Sequence, residues 1–277
     1  MAEEDPAVRV LVVGKTGCGK SSLSNSLLDT NVFDVAGGMA SQTVKCKWHY
    51  GRRSGTFFEV VDTPGLCDTD APEHVIFREL GKSVAMAAPG PHVLLLVLRC
   101  DRRFTKEEFE AYTKLKELFS PEMTNFLIVV FNGLDGLSGR TMEEKKKKLH
   151  EEVKKMPGNL QQVIADANNR YVGMSNTAPK RERDSLIQEL SITMLDTVRR
   201  NGNNYYSTRL IWDINSYAEG LTQHYQQRLH LARREAERKA KQAILDDEKE
   251  AEETIQRIAL RSKELGETEV MYLCYMM

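Results

Sequence analysis

Cysteine is scarce and scattered in this chain. The five cysteines form no C-x-x-C pair, and they are Cys18, Cys46, Cys67, Cys100 and Cys274. Such a distribution argues against a disulfide framework and against a zinc site, and it suits a reducing compartment. We therefore expect a cytoplasmic protein.

Neither an excess of one charge nor a long hydrophobic run is present. Lysine and arginine number 39 against 40 aspartates and glutamates, a net charge of −1, so nothing favours nucleic acid as a partner. An apolar run such as Val93 to Leu98 is far shorter than the roughly 20 residues that a membrane-spanning helix needs. The acidic residues 1–10 contain no apolar segment, so we expect no signal peptide.

Glycine, by contrast, is concentrated in one informative place. The run GKTGCGKSS fits G-x-x-x-x-G-K-[ST], follows the apolar run Val8 to Val13 and precedes a helix-like segment. In such a loop the backbone N–H groups surround phosphates, the lysine reaches the outer phosphates and the serine hydroxyl binds Mg²⁺. The alternative is a glycine turn without a ligand. The predicted site comprises Gly14, Thr16, Gly17, Cys18, Gly19, Lys20, Ser21 and Ser22.

Two further segments are predicted to meet the metal and the outer phosphate. The sequence DTPG, starting at Asp62, follows the strand-like FFEVV. An aspartate there holds Mg²⁺, usually through water, and the Gly65 N–H can bond the γ-phosphate. The loop 34–43 lies between the two motifs. Thr43 is our first candidate for a third metal ligand, and Ser41 is the second. An ordinary surface threonine is the alternative.

The base is expected to lie beside two later loops. Asn132 and Asp135 have the spacing of N-K-x-D, and Asp135 can accept hydrogen bonds from guanine N1–H and N2–H₂, donors that adenine lacks. Gly133 replaces the lysine whose stem covers the base plane, so that contact is lost or falls to another side chain. A strand-ending turn is the alternative. In the loop after the last strand, Asn176 is our candidate for a second base contact.

Apolar strands alternate with helical periods up to about residue 200. Continuous apolar runs such as VLLLVL and FLIVVF indicate a buried parallel sheet. We predict an α/β fold: a doubly wound, mostly parallel six-stranded sheet of the P-loop GTPase type with a C-terminal helical extension. Predicted strands lie near 8–13, 44–50, 57–61, 92–98, 125–131 and 170–174, and predicted helices near 20–28, 73–86, 105–118, 141–155 and 180–200.

The chain resembles the immunity-associated GTPases (the GIMAP family), relatives of the septins and of the chloroplast import GTPases. The segments that carry the resemblance are GKTGCGKSS, SQTVKC, VVDTPGLCDT, PGPHVLLLV and RYVGMSNTA, which lie within residues 7–205. The resemblance implies a GTP- and GDP-binding protein with Mg²⁺ that dimerises with itself or with related family members through its nucleotide face. The expected divisions are a tail at 1–7, a G domain at 8–202, a helical extension at 203–265 and a flexible tail at 266–277.

The expected catalytic glutamine is missing. Leu66 stands after Gly65, where Ras-like enzymes have the residue that orients the attacking water, so intrinsic hydrolysis is expected to be slow. The resemblance aligns Arg103 with an arginine beside the nucleotide face of paired G domains. Arg103 and Lys20 are therefore the predicted catalytic residues. A solvated arginine is the alternative at residue 103. His92 is interpreted as a hydrogen-bonded histidine at the edge of the core, with a role beside the nucleotide as the alternative.

The C-terminal region differs in character from the rest of the chain. Leu210, Ile214, Tyr217 and Leu221 form one apolar stripe, so we expect the first half of the extension to pack on the G domain and the second half to be solvated or self-associating. The last four residues, from Cys274, fit a prenylation signal. Attachment to the cytosolic face of an organelle membrane through Cys274 or the tail is an expectation, with an unmodified tail as its alternative.

Three functions are consistent with these residues. The first is a GTP-binding switch with slow, dimer-dependent hydrolysis. The second is a scaffold that keeps GTP or GDP bound, hardly hydrolyses GTP and acts through its C-terminal helix. The third, a small-molecule kinase or an ATPase with the same loop, is disfavoured by Asp135.

Overall fold

The computed structural model describes residues 7–35, 46–65, 82–229 and 233–246. The predicted metal ligand Thr43, residue Leu66 and the candidate lipidation site Cys274 lie outside these ranges. So does most of the helix predicted at 73–86, of which residues 82–86 are described and helical.

One six-stranded sheet forms the centre of the described structure, in the order β2-β3-β1-β4-β5-β6. All neighbouring pairs are parallel except β2 with β3. The predicted α/β fold with a mostly parallel sheet is therefore confirmed. The strands are β1 Val8–Gly14, β2 Lys47–Arg53, β3 Thr56–Asp62, β4 Val93–Arg99, β5 Leu127–Asn132 and β6 Tyr171–Met174.

Continuous apolar runs fill the middle of the sheet. Every residue of β5 is buried, as are all residues of β4 except its last, Arg99. Such strands have helices on both faces. The antiparallel pair β2–β3 lies at one edge and turns through Ser54 and Gly55, whose φ angles of 48° and 85° match a two-residue hairpin turn. Pairing across this turn carries β2 to Arg53, three residues beyond the predicted end at residue 50.

Seven longer helices accompany the sheet in the described ranges. Thr105 caps α2 with a capping box, and Thr141 caps α3. Helix α4 was not predicted, although Leu160, Val163 and Ile164 are buried at helical spacing. The helices are α1 Lys20–Leu28, α2 Lys106–Phe119, α3 Met142–Val153, α4 Gly158–Asp166, α5 Lys180–Arg200, α6 Arg209–Leu229 and α7 Arg233–Asp246.

Helix α7 packs against the β2–β3 edge, so the expected solvated or self-associating second half is wrong over this range. Its buried side chains are Ala236, Ala240, Lys241 and Ile244. Lys241 Nζ forms an ion pair with Glu59 Oε2 at 2.5 Å, and its ammonium lies 5.0 Å from the ring centroid of Trp48. Small alanines permit close approach, while the lysine stem covers apolar surface, which explains why so polar a sequence is partly buried.

Helices α6 and α7 also contact each other, and Arg233 pairs with Glu219 across them at 2.9 Å. In α6, Ile211 and Thr222 are buried. The side chains of the predicted stripe, Leu210 to Leu221, lie outside the described part of the structure. No helix within the described ranges has the length and hydrophobicity to cross a bilayer.

Candidate nucleotide-binding site

The glycine-rich loop leaves β1 at Gly14 and enters α1 at Lys20. Gly14 and Gly19 have φ angles of 147° and 95°. A Cβ on Gly14 would lie 2.4 Å from the Val97 carbonyl oxygen, and one on Gly19 would lie 2.1 Å from Asn132 Nδ2. Both positions therefore require glycine, because backbone conformation and space each exclude a side chain.

Lys20 is buried at the start of α1. Its Nζ donates hydrogen bonds to the carbonyl oxygens of Gly14 and Lys15, each at 3.1 Å. The ammonium group is thus held against the loop, next to the positive end of α1. A cation and a helix N-terminus at one place form a region that suits phosphate.

The Ser21 hydroxyl and the Asp62 carboxylate meet beside Lys20. Ser21 Oγ donates to Asp62 Oδ2 at 2.5 Å. Asp62 is buried at the end of β3, and burial raises the pKa of its carboxyl group to about 6, while the hydrogen bond from Ser21 acts in the opposite direction. The other carboxylate oxygen, Oδ1, is buried and has no hydrogen-bond partner among the described residues.

This donor set fits Mg²⁺, which takes oxygen ligands and is usually held by one or two carboxylates together with phosphates and waters. Ser21 and Asp62 supply a hydroxyl and a carboxylate. Among the described residues no group of three or more His, Cys, Asp or Glu side chains could hold a metal ion. Thr43, the third predicted ligand, lies outside the described residues.

Gly65 lies directly against the glycine-rich loop. A Cβ there would come within 1.8 Å of Thr16 Oγ1 and 2.5 Å of the Thr16 backbone nitrogen. Between Asp62 and Gly65, Thr63 Oγ1 donates to the Val12 carbonyl oxygen at 2.8 Å. This bond fixes the end of β3 to β1, so the D-T-P-G segment is held beside the loop.

Two asparagines tie the later loops to the same place. Asn132, at the end of β5, donates from Nδ2 to the Cys18 carbonyl oxygen at 2.8 Å. Asn176, after β6, donates from Nδ2 to the Gly19 carbonyl oxygen at 3.2 Å. The first bond joins residues 114 positions apart in the sequence, and the second joins residues 157 positions apart. Together they connect the glycine-rich loop to both predicted base-binding loops.

Asp135 lies in the short 3-10 helix Leu134–Gly136. Its Oδ1 accepts a hydrogen bond from Ser175 Oγ at 2.6 Å, and its carbonyl oxygen accepts one from Lys145 Nζ at 2.6 Å. Partial burial acts to raise the pKa of Asp135, but the bonds from Ser175 and Thr177 outweigh it and leave the pKa below its usual value. The carboxylate is therefore ionised and oriented, as an acceptor for two N–H groups must be.

Arg99 is a residue of this site that the sequence analysis missed. It ends β4 beside Asn132 in the sheet register, and its Nε donates to Asp101 Oδ1 at 2.7 Å. The signal in the sequence was a single charge at the end of the apolar strand VLLLVL. Ser175, which donates a hydrogen bond to Asp135, was also not among the predicted site residues.

These residues surround one cleft of about 310 Å³ at the carboxyl ends of the strands. Ten predicted nucleotide-binding residues line it: Thr16, Gly17, Gly19, Lys20, Ser21, Ser22, Gly65, Asn132, Asp135 and Asn176. Five other residues complete the lining: Asp34, Val35, Arg99, Gly133 and Thr177. The structure thus brings together most of the predicted phosphate and base residues.

Three of the other predicted site residues within the described ranges have different positions. Gly14 ends β1 and Cys18 lies within the loop, but neither lines the cleft; Cys18 is buried, which raises the pKa of its thiol. Arg103 is exposed in the segment between β4 and α2 and does not line the cleft. Its predicted role depends on a second molecule and stays a prediction.

His92 lies at the amino end of β4, opposite the cleft. Its Nδ1 accepts a hydrogen bond from the Arg9 backbone N–H at 3.0 Å, and the ring is buried. The interpretation as a hydrogen-bonded histidine at the core edge describes this position, and a place beside the nucleotide is wrong, because ligands of such sheets bind at the carboxyl ends.

Three buried side-chain oxygens in the described part of the chain have no hydrogen-bond partner: Thr16 Oγ1, Asp62 Oδ1 and Asn176 Oδ1. Thr16 and Asn176 line the cleft, and Asp62 is bonded to Ser21, which lines it. Because buried polar groups are normally paired, three such atoms in or beside one cleft indicate that a polar ligand completes it.

The profile of the AIG1 family matches residues 8–226. This chain belongs to the AIG1 family. Its relatives include immune-associated nucleotide-binding proteins, so the resemblance to immunity-associated GTPases is confirmed. The match extends from β1 into α6.

Two curated relatives of this AIG1 protein come from Arabidopsis thaliana. Immune-associated nucleotide-binding protein 7 is 29% identical over 225 residues, which cover 80% of this chain and 70% of the relative. Immune-associated nucleotide-binding protein 8 is 31% identical over 209 residues, which cover 73% of this chain and 57% of the relative. These relatives are longer than the matched region.

Solved structures of Toc33 from Arabidopsis thaliana share the fold. A dimerisation-deficient mutant is 22% identical with a TM-score of 0.54, and the complex with GDP and Mg²⁺ is 21% identical with a TM-score of 0.53. Each match covers 69% of this AIG1 chain and 84% of the Toc33 chain. The fold is that of the P-loop GTPases.

Proposed function

We propose that this AIG1 protein binds GTP and GDP with Mg²⁺ in the cleft, hydrolyses GTP slowly and dimerises through its nucleotide face. The observation that carries the proposal is that, within the described ranges, three buried oxygens around the cleft lack a hydrogen-bond partner. Names of similar proteins support it: the plant relatives are called nucleotide-binding proteins, and Toc33 was solved with Mg²⁺ and either GDP or GMPPNP.

Guanine is the base that the cleft favours. Ser175 orients the ionised Asp135 carboxylate, which accepts hydrogen bonds from guanine N1–H and N2–H₂. Adenine offers neither donor there, so it would leave the oriented carboxylate without a partner. Asn132 and Asn176 hold this region against the phosphate loop.

The phosphates would lie against the loop and the start of α1. Lys20 meets the outer phosphates, and the Gly65 N–H meets the γ-phosphate. Ser21 and Asp62 would hold Mg²⁺, with Thr43 proposed as a further ligand. When bound, that ion neutralises charge developing on the transferred phosphoryl group.

Hydrolysis within one molecule is expected to be slow, because Leu66 cannot orient water. Arg103 is exposed near the carboxyl edge of the sheet, from which it could reach the nucleotide bound by a second copy. Arginines supplied in this way contribute on the order of 10³–10⁵ to the rate. Among the similar structures, one is of a dimerisation-deficient arginine-to-alanine mutant of Toc33, and dimerisation is important for the GTPase activity of the chloroplast translocon components atToc33 and psToc159.

Phosphate release measured at rising protein concentration tests this proposal. We expect the rate per molecule to climb with concentration in the wild type and to collapse in Arg103→Ala. Arg199→Ala is the control, since Arg199 is exposed at the far end of α5. A concentration-independent, near-zero rate with nucleotide still bound would instead support the scaffold.

We further propose that the protein is cytoplasmic and reaches the cytosolic face of an organelle membrane through a lipid on Cys274. The sequence CYMM from Cys274 supports this, because it fits a prenylation signal. One lipid chain gives reversible attachment only. The intact mass of the protein from a eukaryotic host decides the matter, and an unmodified C-terminus, Met277 included, would refute the proposal.

A further inference from the structure

The loop that carries Asp135 has a glycine where a base-covering side chain would otherwise stand. Gly133 has a φ angle of 90°, which L side chains rarely adopt. A Cβ at this position would lie 2.9 Å from Asp101 Oδ1 and 3.1 Å from Arg99 Nη2. The backbone conformation therefore disfavours a side chain at residue 133, and the ends of the Arg99 and Asp101 side chains occupy the space that its Cβ would enter.

The Arg99–Asp101 pair occupies this space in a fixed arrangement. Arg99 Nε donates to Asp101 Oδ1 at 2.7 Å, and Arg99 Nη2 donates to Asp101 Oδ2. Two parallel bonds of this kind set the orientation of a guanidinium plane. Both side chains are about 25% exposed, so the pair is partly shielded from solvent.

Glycine at a second position makes room for the same pair. A Cβ on Gly136 would lie 2.9 Å from the Asp101 Cβ. Gly133 and Gly136 therefore flank Asp135 on both sides, and each leaves space that the Arg99–Asp101 pair uses. The loop and the pair fit one another as a unit.

Arg99 lines the cleft together with Asp135 and Asn132. It is the last residue of β4 and pairs in register with Asn132 at the end of β5. A guanidinium plane is a good stacking surface for a nucleobase, because it is flat, weakly hydrated and positively charged. Arg99 therefore lies in the same cleft as the Asp135 carboxylate, which is proposed to bind the base edge. Its flat, cationic guanidinium is suited to stack on the base face.

We propose that Arg99, held by Asp101, stacks on the purine base of the bound nucleotide and supplies the plane contact that Gly133 cannot. This inference rests on the proposed nucleotide binding. Asp135 reads the edge of the base, and Arg99 contacts its face, so the two contribute separately to affinity and selectivity.

Equilibrium binding of GDP, GTP and IDP to Arg99→Ala tests the proposal. Base stacking contributes about 1–3 kcal/mol, so we expect roughly tenfold weaker binding of all three nucleotides. IDP lacks the guanine amino group but keeps a purine face, and the ratio of GDP to IDP affinity should therefore stay at the wild-type value. The control is Arg102→Ala in the same loop, which should bind all three as the wild type does.

Removing Arg99 also leaves Asp101 unpaired, and a double variant separates that effect. Arg99→Ala with Asp101→Ala lacks both the plane and the carboxylate, and it should keep the roughly tenfold loss. Wild-type affinity in the double variant would overturn the proposal, because the loss would then come from an unpaired charge. A much larger loss for GTP than for GDP would also overturn it, since Arg99 would then contact phosphate.

The outcomes also distinguish this inference from the proposed function. A wild-type protein that binds GDP, together with an Arg99→Ala variant of equal affinity, would refute the role of Arg99 alone. A wild-type protein that binds none of the three nucleotides would refute the proposed function and this inference with it.

Discussion

The two ends of the central sheet differ in whether their buried polar groups have hydrogen-bond partners. At the amino end, Arg9 Nε donates to the Gly90 carbonyl oxygen at 2.7 Å, its backbone N–H donates to His92, and its guanidinium lies 5.1 Å from the Tyr205 ring centroid. At the carboxyl end, three buried oxygens, including Asp62 Oδ1, have no partner in the described structure.

This difference separates polar groups that stabilise the fold from polar groups that await a ligand. A buried polar group without a partner costs roughly 1–3 kcal/mol, so an end that carries several is stabilised when something binds there. A satisfied group contributes stability in the absence of any ligand. Substitutions at the two ends should therefore have opposite effects on folding and on binding.

The largest effect is expected from Lys20→Met at the carboxyl end. The variant removes the buried ammonium group that meets phosphate, and truncating such a charged contact typically costs 2–5 kcal/mol. We expect GTP affinity to fall at least about 30-fold, while the free energy of unfolding without nucleotide falls by less than in Arg9→Met, because the lost bonds to the Gly14 and Lys15 carbonyls are offset by no longer burying the ammonium group. Calorimetric titration and urea unfolding measure the two quantities. A variant with reduced stability and wild-type GTP affinity would contradict the proposed difference between the two ends of the sheet.

The matched substitution at the amino end is Arg9→Met. It removes a side chain that bonds Gly90 and lies 3.2 Å from His92 Nε2, and hydrogen bonds of charged groups contribute about 1.5–3 kcal/mol each. We expect the free energy of unfolding to fall by about 2 kcal/mol and nucleotide affinity to remain unchanged. Equal loss of affinity in this variant and in Lys20→Met would show that the two ends are not separate.

A pH-dependent effect of similar size is expected at His92. Burial, and then the charge of Arg9, lower the pKa of His92 to about 4 from its usual 6.5. Between pH 6.5 and 4 the unfolded chain binds the proton and the folded chain does not, so the free energy of unfolding decreases as the pH falls.

In His92→Asn this contribution is absent. From pH 7 to pH 5 the wild type should lose about 2 kcal/mol relative to the variant. The raised pKa of Asp62, about 6, acts in the opposite direction in both proteins and cancels in the difference. Urea unfolding at several pH values provides the measurement, and parallel pH profiles would show that His92 does not titrate in this way.

Much of the fold was predictable because the strands are long apolar runs and the helices are amphipathic. The two exceptions have different causes. Helix α4 has only nine residues and follows a proline, so its short apolar period was overlooked. The burial of α7 depends on Lys241 meeting Glu59, which lies 182 positions away in the sequence, and no pattern within the helix reveals it.

The candidate site was predictable where a motif carries it and not elsewhere. Ten predicted residues line one cleft because each motif ends a strand, and the strand ends meet at one edge. Arg99 belongs to no motif, since its place depends on Asp101 and on the space that Gly133 leaves. Thr43 and Leu66 lie outside the described residues, and the role of Arg103 stays a prediction.

The central claim is that the carboxyl end of the sheet awaits a guanine nucleotide, and competition for that cleft tests it most directly. Labelled GDP is bound to the wild-type protein in the presence of Mg²⁺ and challenged with GTP or with ATP. GTP should displace the label at concentrations at least 100-fold lower than ATP, because only guanine satisfies Asp135. Displacement by ATP as effective as displacement by GTP would contradict the account, and so would a protein that binds no GDP.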